Sequence, residues 1–250
     1  MQAVAKAMIL AAGLGTRLRP LTNDRPKALV TVAGRTMLEI TLARLRQFDV
    51  NQVIINTHHY AEMIREYLAD NKNFGMRIEL SHEEELLDTG GGLKKAAWFF
   101  LEGKSAQYPS LAPFILHNVD IISTIDIAKM IESHKKQGAM ATIAVQDRET
   151  KRYLLFDEHG VLCGRRRGRN GELELVRPAA SPQALAYSCI QVISPRIFAR
   201  MTETGAFSII DAELNMAARG EKLLSFRADG AYWRDLGTPE KVKEAEKDSL

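Results

Sequence analysis

The 250-residue chain is 46% hydrophobic and 26% charged, ordinary values for a folded globular protein, which excludes a disordered or low-complexity chain. Its formal net charge of +3 suits small anionic ligands and is too weak to point to nucleic acid. Two cysteines, Cys163 and Cys189, with no Cys-x-x-Cys spacing, read as reduced thiols of a cytoplasmic protein, and no stretch approaches the roughly 20 apolar residues of a membrane span.

In chain order, Ala7-Met8-Ile9-Leu10-Ala11-Ala12 reads as a first strand, too short and too directly joined to a glycine loop for a signal peptide. Gly13-Leu14-Gly15-Thr16-Arg17 follows. Its two glycines let the backbone turn sharply and bring N–H groups to an anion, and Arg17 and Lys27 add positive charge for phosphate oxygens. Pro26 biases Arg25 toward an extended conformation, so Lys27 is expected to project from a loop. Ala28 to Val32 is a short extended piece, and Thr36 caps a helix that runs to Gln47. A buried strand over 52–56, a helix over 61–68 and a strand over 77–81 come next. Thr89-Gly90-Gly91-Gly92 then reads as a glycine-rich lead into a helix from Leu93 to Leu101, offering backbone donors to a ligand, with a solvated loop as the plain alternative.

A strand over 113–117 delivers Asn118-Val119-Asp120 to its carboxyl end, and a helix over 126–137 and a strand over 141–145 follow. This alternation implies right-handed crossovers and a mostly parallel sheet, whose ligands bind at the carboxyl ends of the strands. Beyond Tyr153 the texture changes: a hairpin over 153–163 and strands over 172–176 and 186–193 predict a small antiparallel lobe within about 150–195. Short helices begin at Pro195 and at Ser208, strands cover 222–226 and 231–233, and Thr238-Pro239 starts the last helix. No internal repeat or linker breaks the chain, so one unit over 1–250 is expected, with no C-terminal hexapeptide β-helix.

The glycine loop is neither of the two commonest kinds. A dinucleotide fingerprint needs a third Gly where Leu18 stands, and no Gly-Lys-Ser/Thr triplet closes a P-loop. The pattern Gly-x-Gly-Thr-Arg-x-x-Pro with the later Pro26-Lys27, the Thr89-Gly90-Gly91 element and Trp233-Arg234-Asp235-Leu236-Gly237-Thr238-Pro239 instead resemble the sugar-1-phosphate nucleotidyltransferases, across essentially the whole chain. Mannose-1-phosphate guanylyltransferases and N-acetylmuramate-1-phosphate uridylyltransferases are branches that the chain resembles, and because they use different bases the resemblance leaves the base open. The resemblance implies a three-layer α/β/α Rossmann-like fold with a mixed, mostly parallel central sheet and a small antiparallel lobe. It also implies a reaction: an oxygen of a sugar-1-phosphate attacks the α-phosphorus of a nucleoside triphosphate and pyrophosphate leaves. The attacking phosphate has a second pKa of about 6 and is already anionic near neutrality, so no activated nucleophile is needed. Charge neutralisation and in-line positioning are needed instead.

On this reading Arg17, Lys27 and Asp120 carry the catalysis. Ala11, Ala12, Gly13, Gly15, Thr16, Arg17, Lys27, Thr89 and Gly90 hold the nucleotide. Glu83 joins them as a candidate acceptor for guanine N–H groups, although membership of a solvated acidic face is the favoured reading of Glu83-Glu84-Glu85. Gly91, Asn118, Arg177 and Ser188 meet the sugar phosphate. Mg²⁺, which keeps waters and needs only one or two carboxylates, would sit on Asp120 and Asp235. Two departures stand out: Val119 replaces the usual Gly and is expected to crowd the acceptor side, and the Glu-Lys-Pro element is missing, leaving Arg177-Pro178 as its candidate substitute.

The expected ligands are a nucleoside triphosphate, GTP or UTP foremost, and a sugar-1-phosphate. Neither nucleic acid nor a membrane is expected, and the assembly is a monomer or homodimer. His58, His59 and His117 read as structural rather than as zinc ligands, and Arg165-Arg166-Arg167-Gly168-Arg169 as a solvated turn. A non-catalytic nucleotide or nucleotide-sugar sensor on the same fold is the rival reading.

Overall fold

A computed structural model describes residues 6–102, 112–168 and 170–248. Its strands and helices follow in order. β1 (Lys6–Leu10) leads to the hairpin β2 (Thr31–Val32) and β3 (Arg35–Thr36), then α1 (Met37–Arg46), β4 (Gln52–Thr57), α2 (Ala61–Asp70) and β5 (Arg77–His82). α3 (Asp88–Lys95), α4 (Ala97–Leu101), β6 (Phe114–Asn118), β7 (Ile121–Ser123), α5 (Ile127–Gln137) and β8 (Ala141–Gln146) follow. The chain continues through β9 (Arg152–Phe156), β10 (Leu162–Arg167), β11 (Leu173–Leu175), β12 (Gln183–Ile193), α6 (Ile209–Ala218), β13 (Leu223–Arg227), β14 (Trp233–Asp235) and α7 (Pro239–Ala245).

Ten strands form one mixed sheet, and β1 lies in its middle, parallel to β4 on one side and to β6 on the other. β5 extends the parallel part beyond β4, and β13 pairs parallel with β8. β12 runs antiparallel to β6, β8 and β9, and β9, β10 and β11 are antiparallel to one another in turn. The small antiparallel lobe is therefore an extension of the main sheet, carried by the long strand β12.

Period-two alternation in the central strands explains the layers. Ala7 and Ile9 of β1, Val53 and Ile55 of β4 and Ile115 of β6 face one buried cluster, which takes Leu38 and Leu42 from α1, Ile64 from α2, Met130 from α5 and Val242 from α7. Met8, Ile54, Phe114 and Leu116 face the opposite cluster, with Leu93 from α3, Phe99 and Phe100 from α4 and Ala212 and Met216 from α6. Strands apolar on both faces need helices on both faces, and the three layers follow. Each large side chain so buried contributes about 1.5–3 kcal/mol. Helix starts follow their caps: Thr36 Oγ1 accepts from the Glu39 N–H (3.0 Å), and Asp126 Oδ1 from that of Lys129 (3.0 Å).

Three local expectations are corrected. The glycines 90–92 lie inside α3 rather than ahead of the helix. Arg165 to Arg167 form part of β10 and not a turn, and Arg165 pairs with Glu174 (2.6 Å) and Asp211 (2.6 Å); Arg169 lies outside the described residues. Asp120 is followed at once by β7, which pairs antiparallel with β14, so Asp235 is the last residue of a strand and sits opposite Ile121. No helix among the described residues is long and apolar enough to cross a membrane.

Candidate active site

Three parallel strands end together, and their next residues line a cavity of about 430 Å³, within the size range of small-molecule sites. β1 contributes Leu10 and then Ala11, Ala12 and Gly13; β4 contributes Asn56; β6 contributes Asn118 and then Val119 and Asp120. Arg17 and Lys27 line it from the glycine loop and the turn after Pro26, and Glu83, Leu86, Asp88 and Thr89 from the segment after β5. Leu86, 39% exposed, gives this wall an apolar surface open to a ligand.

A buried chain of hydrogen bonds fixes the floor. The Ala11 N–H donates to Asn56 Oδ1 (2.7 Å), and Asn56 Nδ2 donates to Glu83 Oε1 (2.7 Å). The Leu87 N–H donates to Glu83 Oε2 (3.0 Å). Glu83 is therefore no member of a solvated face; it is 1% exposed, and its carboxylate ties the first strand's end to the loop before α3. Its two oxygens offer about four acceptor sites, of which these bonds use two.

The glycines act by close packing. A Cβ on Gly90 would lie 2.5 Å from the Phe207 ring, one on Gly91 2.5 Å from the Gly205 carbonyl, and one on Gly92 2.6 Å from Glu83 Oε1. The Gly90 and Gly91 N–H groups, expected to meet nucleotide and sugar phosphate, both donate to the Phe207 carbonyl (2.9 and 3.2 Å). Thr89 reaches the cavity, while its Oγ1 accepts from the Ile209 N–H at the start of α6 (2.9 Å). Gly15 shapes the loop instead of lining it: its φ is +64°, and its carbonyl accepts from the Leu18 N–H (2.8 Å) and the Thr22 hydroxyl (2.9 Å). Thr16 opens the following turn and does not line the cavity.

Charge concentrates on one side. Lys27 and Asp120 form an ion pair at the cavity wall. Asp235 is tied to the same corner, because the Leu236 N–H donates to the Asp120 carbonyl (2.9 Å). Lys241 Nζ stands 3.1 Å from Asp235 Oδ2, and the Gly237 N–H donates to Oδ1 (2.8 Å). Burial pushes the Asp235 carboxyl up, but Lys241, helped by Lys27 and the Gly237 N–H, holds it below the usual carboxylate value. A Cβ on Gly237 would lie 2.8 Å from Asp235 Oδ1 and 3.1 Å from Arg17 Nη2, so the glycine-loop arginine reaches this strand end. Burial, then the charges of Asp120 and Asp235, push the Cys189 thiol up to about 12; it is neutral at every working pH.

Two expectations for the acceptor side are not met. Arg177 lies away from the cavity, 3.6 Å from Asp157 and bordering a separate cleft with Glu158 and Pro178. Ser188 has a fully buried side chain whose hydroxyl has no partner among the described residues, and its carbonyl accepts from Trp233 Nε1 (2.8 Å). Val119 borders the cavity, yet it is 2% exposed and packed into the core, so it crowds the acceptor side less than expected. The histidines serve the fold: His58 Nδ1 bonds the Glu83 carbonyl (2.8 Å), and burial lowers His117 to about 4, keeping it neutral. Asn56 lines the cavity from the carboxyl end of β4, the strand end at which the sequence places it beside the glycine loop. Residues the sequence did not single out are Leu86, Asp88 and Lys241, none of which carries a local signal.

Comparison with known proteins gives the family and the fold. A family profile described as "Nucleotidyl transferase" matches residues 6–159. An N-acetylmuramate alpha-1-phosphate uridylyltransferase of Caulobacter vibrioides is 31% identical, the match covering 98% of this chain and 97% of that protein. A mannose-1-phosphate guanylyltransferase catalytic subunit beta of Xenopus tropicalis is 29% identical over 94% of this chain, which spans only 61% of that relative. In fold, the crystal structure of HddC from Yersinia pseudotuberculosis complexed with GMP-PN superposes with a TM-score of 0.72, at 23% identity, over 97% of this chain and 98% of that one. By fold, strand-end cavity and sequence, the chain belongs to the nucleotidyl transferase family.

Proposed function

We propose that the protein is a sugar-1-phosphate nucleotidyltransferase, joining a nucleoside monophosphate from UTP or GTP to a sugar-1-phosphate with release of pyrophosphate. The observation that carries this reading is the meeting of Arg17, Lys27 and Asp120 in the lining of one cavity that also has the apolar Leu86, with Asp235 held beside Asp120 although it does not itself line the cavity. The base would lie toward Leu86 and Thr89, with spare acceptor capacity on Glu83 available to its N–H groups, and the triphosphate would run along Gly13 to Arg17. The relative matched along both full lengths is named for uridylyl transfer, which makes UTP the first donor to try.

The donor set suits Mg²⁺. Asp120 and Asp235 are hard oxygen ligands joined through a strand pair, and no third His, Cys, Asp or Glu gathers with them into a metal cluster among the described residues. Two carboxylates leave the remaining positions to waters and phosphate oxygens. The ion, when bound, supplies charge neutralisation at the transferring phosphate. Lys27 pairs with Asp120 and Lys241 with Asp235, which puts both lysines where their charge would also meet a phosphate. Lys27 would act on the pyrophosphate side as it leaves, and Arg17 would neutralise the triphosphate from the glycine loop. No proton need be abstracted, because the acceptor phosphate arrives ionised.

The test is pyrophosphate release with Mg²⁺, pairing UTP, GTP, CTP, ATP and dTTP with a panel of sugar-1-phosphates, and Asp120→Asn as control. Release with one pair, lost in the control, is expected. Nucleotide binding without release from any pair would favour a sensor.

A further inference from the structure

The acceptor side lacks its expected cation, since Arg177 is engaged with Asp157. Another guanidinium lies close enough to Asp235 to feel its charge, although it does not line the cavity. Arg148 is the second residue after β8, and its guanidinium lies over the Trp233 ring, 3.6 Å from the centroid. Its Nη2 donates to the Tyr187 carbonyl (2.7 Å). Its Nε is buried without a partner, and no carboxylate pairs with it among the described residues. Lys27 and Lys241, by contrast, each have an aspartate.

Partial burial of a cation without a counter-charge costs free energy, and burial does lower the proton affinity of this guanidinium. The fold nevertheless holds it firmly. Trp233, which carries it, is two residues from Asp235 on the same strand, so both side chains project from one face of β14. The Trp233 ring is itself fixed by its bond to the Ser188 carbonyl. Among the charges that act on Arg148 is Asp235. A flat, half-buried guanidinium with no paired carboxylate among the described residues is suited to receive a phosphate, whose oxygens match its fork of N–H donors. The triphosphate has its own cations in Arg17 and Lys27, which line the cavity.

We propose that Arg148, stacked on Trp233, binds the phosphate of the sugar-1-phosphate acceptor and takes the place of the missing lysine. This rests on the nucleotidyl-transfer reading above.

The test uses Arg148→Met and Arg148→Lys in the full chain, with KM measured separately for each substrate. Binding of the sugar-1-phosphate is measured by calorimetry in the presence of a non-hydrolysable triphosphate analogue, and Tm is recorded for each variant. Losing a charge-assisted bond of this kind corresponds to a factor of about 10–100. Arg148→Met should therefore raise KM and Kd for the sugar-1-phosphate by that factor, with KM for the triphosphate within twofold of wild type, and Arg148→Lys should restore part of the loss. A rise in the triphosphate KM instead would overturn the assignment. So would a fall in Tm with both KM values unchanged, which would make the stack purely structural. If no pair gives turnover, the calorimetry still decides: sugar-1-phosphate binding lost in Arg148→Met upholds the assignment while the reaction fails. Binding that is unchanged, or undetectable in wild type, overturns it.

Discussion

Gly92→Ala pits two local effects against each other. Gly92 lies within α3, where Ala in place of Gly gains about 1 kcal/mol of helix propensity. The added Cβ, however, would lie 2.6 Å from Glu83 Oε1 and 2.8 Å from Asn56 Nδ2, both inside van der Waals contact. These atoms are themselves bonded at 2.7 Å and cannot both yield without parting. Both residues are almost fully buried, so neither has room to swing out. Losing a hydrogen bond to a charged acceptor costs about 1.5–3 kcal/mol, and overpacking about 1–3 kcal/mol more. Subtracting the helix gain leaves a net loss of about 1.5–5 kcal/mol. At about 2–4 °C per kcal/mol for a chain of this size, Tm should fall by on the order of 10 °C. Nucleotide affinity should fall as well, because Asn56 holds the Ala11 N–H at the cavity floor. Thermal unfolding by circular dichroism, with a nucleotide titration, measures both. A variant as stable as wild type, or more stable, would refute the view that Gly92 is required by this buried contact.

Three further outcomes follow from the same geometry. Lys27→Met should lower kcat by about 10²–10³-fold with the fold retained, as judged by steady-state pyrophosphate release and circular dichroism; turnover within threefold of wild type would remove Lys27 from the chemistry. Gly15→Ala forces a Cβ into the left-handed region, 3.0 Å from Thr22 Cγ2 and 3.3 Å from Lys27 Cβ. A strain of about 1–2 kcal/mol should lower Tm and weaken triphosphate binding by about 5–30-fold; unchanged binding would show that the loop conformation is dispensable. Glu213, buried on α6, is raised by burial from 4.5 to about 8, so the folded state holds its proton where the unfolded state has released it. Its contribution is full below about pH 4.5 and is lost as pH climbs through about 8. Glu213→Gln has no proton to lose, so the Tm of wild type should fall relative to it between pH 5 and 8.5; parallel profiles would contradict this.

Much of the fold was readable because its signals are local. Apolar strands alternate with capped helices, and Thr36 and Asp126 cap where their hydroxyl and carboxylate reach orphan N–H groups. The glycine loop, Lys27 and Asp120 were legible as chemistry at strand ends. What was missed depends on distant partners. The helix α3 carries three glycines where Phe207, Gly205 and Glu83 leave no room for a Cβ, a packing requirement that a local propensity, which favours a break there, does not show. Strands of three residues such as β7 and β14 have no period of their own and exist through each other. Glu83 sits in an acidic run and reads as solvated, but Asn56 and the Leu87 N–H draw it inward. Arg177 has the neighbouring proline expected of a phosphate ligand, and only the fold reveals that Asp157 holds it elsewhere.

The most direct test of nucleotidyl transfer at this corner is ³¹P NMR of wild type and Asp120→Asn with Mg²⁺, UTP and N-acetylmuramate-1-phosphate, repeated with GTP and mannose-1-phosphate. For one of these pairs, wild type should convert the two substrates into a sugar nucleotide diphosphate and pyrophosphate in equal amounts, and Asp120→Asn should not. Loss of the triphosphate to free nucleotide without a sugar nucleotide, or equal conversion by Asp120→Asn, would contradict the account.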